Sequence, residues 1–576
     1  MLSKNSNLLY LFLAAMLLTL TFLAYWPSLS VPFYLDDYIS IKQNLVLQEG
    51  SWTDVIKSDK ARWVGLLSFK ANYVLFGDSL ASLHTMNLFI HLCNILLVGF
   101  LTFKLLNLAS CSQRVIPWVT LFIMALFALH PLNTQAVTYL VQRYASLATL
   151  FFLLALSCYI FARESTKHVK VAAWVIGCLI FGILAFFTKQ NAITLIGVLL
   201  AFELCFFNRI KLNHVLKTIV IFLIALSILY PLPVLNAHFE AFFTRLGDLT
   251  SETDIYSRWQ YFCAQLNVIF IYLGKWVFPM ELRLEYPYTT QSFSRVGTLL
   301  ALSAHVFLLC FALKNLKKYT LISFGLFFFY ITHSVESALV PIRDIAFEHR
   351  TYLPHIGLLF VLAGLGELIY KHGTVTPKAT KFILPIIILI LGSLTFSRNT
   401  LWQSPTDFYE YELSLEPRNL RVMNNLAHAY TNSGNFDKAQ SLYERMDELE
   451  QSDSKLMSTS TVLSNIMIWN LEQKNIARAE EIAIKITQRE TKGPILAKAW
   501  AVYGTAAMAR RDAQSAEQRF KTSLSYSPND VGTLLLYAKS LGVQRKFDEA
   551  KEALLRAQKL APNNQEIRKL MNLIRG

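Results

Sequence analysis

The feature that most constrains this chain is a succession of apolar runs that fills its first 398 positions and then stops. They fall at roughly 8–26, 86–103, 115–131, 144–162, 171–188, 191–208, 216–234, 261–279, 297–313, 319–334, 352–370 and 382–398. A helix of about 20 residues spans the ~30 Å hydrocarbon core of a bilayer. In lipid each backbone N–H and C=O must find its partner inside the protein, which leaves helices or a closed barrel. Runs of this length dictate helices, so the fold class is all-α, a polytopic membrane helical bundle. Composition agrees: 54% of the 576 residues are hydrophobic and mean hydropathy is +0.38, above what a soluble chain of this length carries.

Charge supplies the orientation. Of the net +15, +12 lies in residues 1–398 and +3 in residues 399–576. The basic excess sits in short loops: Lys104 and Arg114; Arg163, Lys167 and Lys170; Arg209, Lys211 and Lys217; Lys314, Lys317 and Lys318; Lys371, Lys378 and Lys381. Such loops mark the cytoplasmic side, and they account for the charge without a nucleic-acid partner. With Lys217 and Lys314 both inside, the run at 261–279 has both ends outside. Its Gln265, Asn267, Gly274 and Lys275 suit a re-entrant or interfacial element. The expected topology is about eleven crossings, a cytoplasmic N-terminus and an external C-terminus. Run 8–26 lacks a small-x-small cleavage site and reads as an uncleaved signal anchor. All seven cysteines lie in or beside apolar runs without CxxC or Cys/His spacing, so neither a disulfide framework nor a structural metal is expected.

Two domains follow: 1–398, the membrane bundle, and 399–576, a helical repeat domain. In the tail, aligning Ala439, Ala479, Ala516 and Ala550 gives repeat starts near 420, 460, 497 and 531, and Pro528 and Pro562 are 34 apart. That is the tetratricopeptide period, a helix-turn-helix unit that stacks into an α-solenoid with a concave face for a protein or peptide.

Candidate chemistry crowds the outer ends of the spans. Asp36 and Asp37 adjoin in VPFYLDDYIS; adjacent carboxylates in an apolar setting repel each other and are poorly solvated, which raises a pKa toward that of a general base. An extended strand there would point them to opposite sides. His84, Asn87, His91 and Asn94 form one stripe at helical spacing, with His84 and Asn87 at the outer end, within reach of the acidic pair or a substrate. Arg143, Lys189 and Arg350, with Glu348 and His349 beside the last, lie at similar depth on the same side. Converging cations there would suit the phosphate of a lipid.

The strings FYLDDYIS with Asn44, FGDSLASLHTMNLFIH, HPLNTQAVTYLVQRYASLA, FFTKQNAIT and EHRTYLPHIG, in that order, resemble the GT-C superfamily of membrane glycosyltransferases. Within it they are similar to the transmembrane and tetratricopeptide-repeat O-mannosyltransferases and their bacterial relatives. The resemblance implies an inverting glycosyltransferase. It would move a sugar from a polyprenyl-phosphate carrier to a hydroxyl of a protein or glycan acceptor, outside the cytoplasm. It implies Asp36 as general base, with Asp37 next in line. It assigns the carrier phosphate to Arg143, Lys189 and Arg350, and an acceptor partner to the repeats. The family often places an acid directly after the lysine, where this chain has Gln190. No cofactor is required by a phosphate leaving group, although an Asp-Asp pair suits a divalent metal in relatives that use pyrophosphate donors. The absence of any Asn-x-Ser/Thr sequon favours a bacterial inner membrane with periplasmic repeats. An oligosaccharide ligase or polymerase with a lipid-pyrophosphate donor, and a non-enzymatic transporter or scaffold, are the competing readings.

Overall fold

The computed structural model describes residues 4–207, 257–286, 288–290, 292–337, 342, 344–372, 377–452 and 459–575. These residues form two compact units, Met1–Ser404 and Pro405–Gly576. The expected run at 216–234 lies outside the described residues.

In the first unit eight described helices are long and apolar enough to cross a bilayer: Leu8–Ser30, Leu80–Leu108, Leu140–Glu164, His168–Thr188, Gln190–Phe207, Arg295–Lys314, Pro354–His372 and Ile383–Leu401. A ninth is the pair Ile116–Leu129 and Pro131–Thr138, bent by 50°. The expected run 319–334 is a shorter apolar helix, Thr320–His333. The segment at 261–279 is one continuous helix, Arg258–Val277, which does not reach the apolarity of the eight. Its Gln265 Nε2 donates to the Ile345 carbonyl (2.8 Å) and its Asn267 Nδ2 to Thr298 Oγ1 (3.0 Å), so its polar groups bond to protein. The bundle carries large apolar side chains on its outside, among them Phe12, Phe89, Val169, Leu300, Phe307 and Leu389. A lipid solvent explains that surface, and a water-facing one would not.

The bundle core is continuous, from Tyr25 through Leu88, Phe127, Phe152 and Phe202 to Phe324, Tyr352 and Phe360. One contact in it depends on glycine. Helices Thr320–His333 and Pro354–His372 cross where Gly325 and Gly357 meet. A Cβ on either would come within 2.5–2.6 Å of the other's carbonyl oxygen. Small residues permit such backbone approach between membrane helices, and here it binds the segments flanking Glu336 and Arg350.

The second unit contains four helix pairs: Leu420–Asn432 with Phe436–Ser452, Ser460–Glu472 with Ile476–Arg489, Pro494–Ala509 with Ala513–Tyr526, and Val531–Val543 with Phe547–Leu560. Helix Pro405–Leu415 precedes them and Gln565–Arg575 follows. The aligned alanines Ala439, Ala479, Ala516 and Ala550 are all buried, where the paired helices leave room for little more than a methyl group. Each pair turns through a left-handed residue at the same place: Gly434, Lys474, Arg511 and Arg545. Between repeats, Arg478 lies in a carboxylate nest of Asp447 (2.9 Å) and Glu481 (2.7 Å), with Glu450 a further partner.

Candidate active site

The acidic pair is divided by a turn. Val31 is extended, and the chain reverses at Leu35, whose φ of 37° falls where a leucine is strained. Asp37 closes the turn. Its N–H donates to the Tyr34 carbonyl (2.8 Å), while its Oδ2 accepts from the Tyr34 N–H (3.0 Å). Its Oδ1 accepts from the Val141 N–H (2.7 Å), and the residue is fully buried. Burial pushes the Asp37 carboxyl up to about 8; the backbone N–H groups of Tyr34, Val141 and Leu140 oppose this, and the charge of Asp36 adds to it. Asp36 itself is exposed, its N–H donating to Tyr139 Oη (3.1 Å). The expected strand alternation is thus replaced by a turn, because Asp37 needs three backbone partners that a straight strand would not bring to it. One carboxylate anchors and its neighbour faces outward.

The segment that receives this loop is made by a proline. Pro131 has no N–H and drives His130 to an extended backbone (φ −74°, ψ 122°), which ends helix Ile116–Leu129. His130 Nδ1 then accepts the Leu132 N–H (3.2 Å), and the short helix Thr134–Thr138 begins. Gln135 and Tyr139 stand one turn apart on one side of it, about 6 Å along the axis. Tyr139 holds Asp36. Gln135 holds His349: its Oε1 accepts from the His349 N–H (2.7 Å) and ring Nδ1 (3.0 Å). The Gln135 amide is oriented by its Nε2 bond to the Leu284 carbonyl (2.7 Å). His349 therefore carries its proton on Nδ1. Burial, then Lys189, Arg350 and Arg62, hold the ring well below its ordinary pKa, so it is neutral at pH 7.

Lys189 sits at the break between helices His168–Thr188 and Gln190–Phe207, in extended backbone (φ −153°, ψ 127°). Its Nζ lies 2.6 Å from Glu336 Oε1, with both side chains almost fully buried. Burial pulls the lysine below its ordinary pKa, Glu336 pulls it back, and nearby Arg62 and Arg350 push it down again. Arg62 Nε approaches Gln190 Oε1 at 3.5 Å. Arg350 donates to the carbonyls of Ile345 (3.2 Å) and Asp344 (2.9 Å). A small cleft lined by Thr149, Asn191, His349 and Arg350 opens beside them. The structure thus brings Lys189, His349 and Arg350 together and adds Arg62 and Glu336, which the sequence reading missed. Their signal was faint: an arginine beside a short apolar helix and a lone carboxylate after a span. Lys189 thus has its carboxylate partner at position 336, with Gln190 following it in the chain.

The other expected contacts are engaged with the protein itself. Arg143 is fully buried, and four of its five N–H donors reach Asn87 Oδ1 (2.6 Å), the Ser68 carbonyl (3.2 Å), Asn72 Oδ1 (3.1 Å) and the Leu83 carbonyl (2.8 Å). Its guanidinium also stacks 4.0 Å over the Phe69 ring. Those bonds make Arg143 a staple between helices. Asn87 Nδ2 bonds the Val137 and Leu140 carbonyls (3.1 and 3.3 Å), and His84 Nε2 the Val31 carbonyl (2.8 Å), so both hold the loops of the site. Glu348 accepts from the Arg283 N–H (2.6 Å), Tyr286 Oη (2.9 Å) and Arg398 Nη2 (2.9 Å) and is wholly buried. Helical spacing shows which residues share a face but not which neighbours bond to them, and these groups bond to the protein. Among the described residues no three His, Cys, Asp or Glu side chains converge as a metal requires.

Comparison with known proteins follows the same division. The tetratricopeptide-repeat family matches residues 420–453 and 507–574. The protein O-mannosyl-transferase TMTC3 of Mus musculus is 23% identical over 94% of this chain and 63% of its own length, and the Homo sapiens TMTC3 is the same on each measure. Protein O-mannosyl-transferase TMTC2 of Homo sapiens is 29% identical over 34% of this chain and 24% of its own. The chain thus spans 63% of the length of the TMTC3 proteins it matches. Among solved structures, the tetratricopeptide protein YrrB is 12% identical, covers 29% of this chain and 82% of its own, and has a TM-score of 0.24. Over nearly its whole length this chain, a membrane helical bundle followed by tetratricopeptide repeats, resembles the TMTC-type protein O-mannosyl-transferases.

Proposed function

We propose that this protein is a membrane glycosyltransferase that moves a sugar from a polyprenyl-phosphate carrier to a protein hydroxyl on the non-cytoplasmic side of a bacterial inner membrane. One observation carries the reading. The short helix Thr134–Thr138 holds the Asp36 loop through Tyr139 and the His349–Arg350 segment through Gln135, one turn apart. The backbone at exposed Asp36 is thereby tied to the segment that carries His349 and Arg350. The relatives' names make a protein the acceptor and mannose the first sugar to test.

In this mechanism Asp36 takes the proton of the acceptor hydroxyl, and the oxygen attacks the anomeric carbon. The bond from that carbon to the phosphate oxygen breaks, and the electron pair leaves with the carrier phosphate. Lys189, Arg350 and Arg62 neutralise the charge that develops there. A single displacement inverts the anomeric configuration. The reaction as drawn needs no metal. The repeat unit would present the acceptor chain along its concave face.

Purified protein supplied with polyprenyl-phosphate mannose and an acceptor peptide should yield a glycopeptide of anomeric configuration opposite to that of the donor, and Asp36→Asn should abolish it while the fold persists. Full activity of Asp36→Asn would refute the assignment of the base. Use of a lipid-pyrophosphate oligosaccharide in place of the monophosphate sugar would favour the ligase reading.

A further inference from the structure

Lys189, a cation of the proposed donor site, is already occupied. Glu336 Oε1 stands 2.6 Å from its Nζ. The segment carrying Glu336 also contains unpaired groups. His333 is 2% exposed, and neither of its ring nitrogens has a hydrogen-bond partner; buried Ser337 Oγ has none either. Leaving such groups unpaired inside a protein is costly, so a second arrangement in which they are paired is worth seeking. The Ser337 N–H donates to the His333 carbonyl (2.9 Å), so positions 333–337 continue one helical turn. His333, three residues before Glu336, is on the same side of that turn.

We propose that Glu336 is a resident counter-anion, which neutralises Lys189 before a lipid-linked donor arrives, cedes it to the donor's phosphate, and moves onto His333 and Ser337. The proposal rests on the donor-phosphate reading above. A phosphodiester carries one negative charge, as a carboxylate does, so the exchange on Lys189 is like for like. It leaves no buried lysine without an anion at any stage, a state that would be strongly unfavourable. A neutral imidazole N–H and a hydroxyl can each donate to the displaced carboxylate, and Arg350 lies within its field. After transfer the carrier becomes a phosphomonoester with nearly two charges. The cations hold that product more strongly than the donor, and Glu336, still beside Lys189, is the anion that opposes its retention.

Binding to the full chain in nanodiscs of neutral lipid tests this, with farnesyl phosphate and inorganic phosphate as probes. Removing the competing carboxylate by Glu336→Gln should tighten farnesyl phosphate binding about tenfold and slow its dissociation to match. His333→Phe, which removes a landing partner, should weaken binding in the wild-type background and have no effect in the Glu336→Gln background. Equal or weaker binding by folded Glu336→Gln would overturn the proposal. Where that variant does not fold, unchanged affinity in His333→Phe would overturn it instead. Wild-type binding that is lost in Lys189→Ala yet unaltered in Glu336→Gln defeats the counter-anion alone. No farnesyl phosphate binding by any variant defeats the donor-phosphate reading itself. Inorganic phosphate bound as tightly as farnesyl phosphate would overturn the lipid part of the proposal.

Discussion

Asp36 and Asp37 are adjacent in sequence and opposite in circumstance, and substitutions should separate them. Asp36→Asn keeps size and removes the base, so transfer should fall to background with unchanged thermal stability. Asp37→Asn replaces an acceptor oxygen by an NH2 group facing a backbone N–H, and should cost about 1–3 kcal/mol by leaving that donor unpaired. Paired measurement of transfer and melting temperature distinguishes the two. Asp37 also has a pH signature. Its folded pKa is raised to about 8, so the folded state binds the proton more tightly than the unfolded one. That contribution is complete below pH ~4 and is lost as pH rises through ~8. Limited proteolysis of the 31–42 loop should therefore speed up over that window in wild type, and the trend should flatten in Asp37→Asn. A pH-independent rate in wild type would contradict the buried carboxyl. Arg143→Ala should unfold the bundle, not merely weaken donor binding, because Asn87, Asn72 and two carbonyls lose their donor at once. At this scale the sequence shows the dipeptide, and it shows Lys189, His349 and Arg350 as polar groups at span ends, which the structure brings together. The division of labour was not legible: the turn at Leu35 and the partners of Arg143 come from segments distant in the chain.

Helices place these residues through a few close contacts. Gly325 and Gly357 let two helices touch backbone to backbone, and Gly357→Ala or Gly325→Ala should force them apart. Overpacking of this kind costs about 1–3 kcal/mol. Because Glu336 and Arg350 flank the crossing, donor binding should weaken along with stability, a coupling that calorimetry on the same samples would reveal. In the repeats the left-handed turn residues Lys474, Arg511 and Arg545 occupy the position that Gly434 fills in the first repeat. Substituting each by glycine removes a strain of about 1–2 kcal/mol, partly offset by backbone entropy. Each should therefore gain a few tenths to about 1 kcal/mol, seen as a higher midpoint in urea unfolding of the full chain; a loss would show that these side chains contribute packing beyond the turn. Element positions were largely legible. Repeat starts expected near 420, 460, 497 and 531 correspond to helices beginning at Leu420, Ser460, Pro494 and Val531, because small buried alanines recur where helices cross. The first-loop helices Trp52–Ser58 and Trp63–Phe76 escaped notice, since neither is a long apolar run. The second nevertheless lies beside the arginine that joins the cation cluster, Arg62.

The whole molecule pairs a bundle bearing carboxylate and cations at its span ends with a repeat array of the kind that grips polypeptides. Lipid as solvent explains the first unit, since Arg143, Glu348 and Asn87 bond to other helices and loops inside it while apolar side chains face outward. The class of fold was therefore legible from hydropathy alone. How the helix ends converge was not, because helices end at Leu129 and Thr188 and begin at Pro354, points that hydropathy averages over. The most direct measurement is sugar transfer by the purified full chain from radiolabelled polyprenyl-phosphate mannose to an acceptor peptide. Wild type, Asp36→Asn, Lys189→Ala and Arg350→Ala should be compared at matched folded protein. Transfer should be lost in Asp36→Asn with donor binding intact, and should fall about 10- to 100-fold in the two cation variants as donor binding weakens. Transfer that survives in Asp36→Asn, or donor binding untouched in both cation variants, would contradict the account.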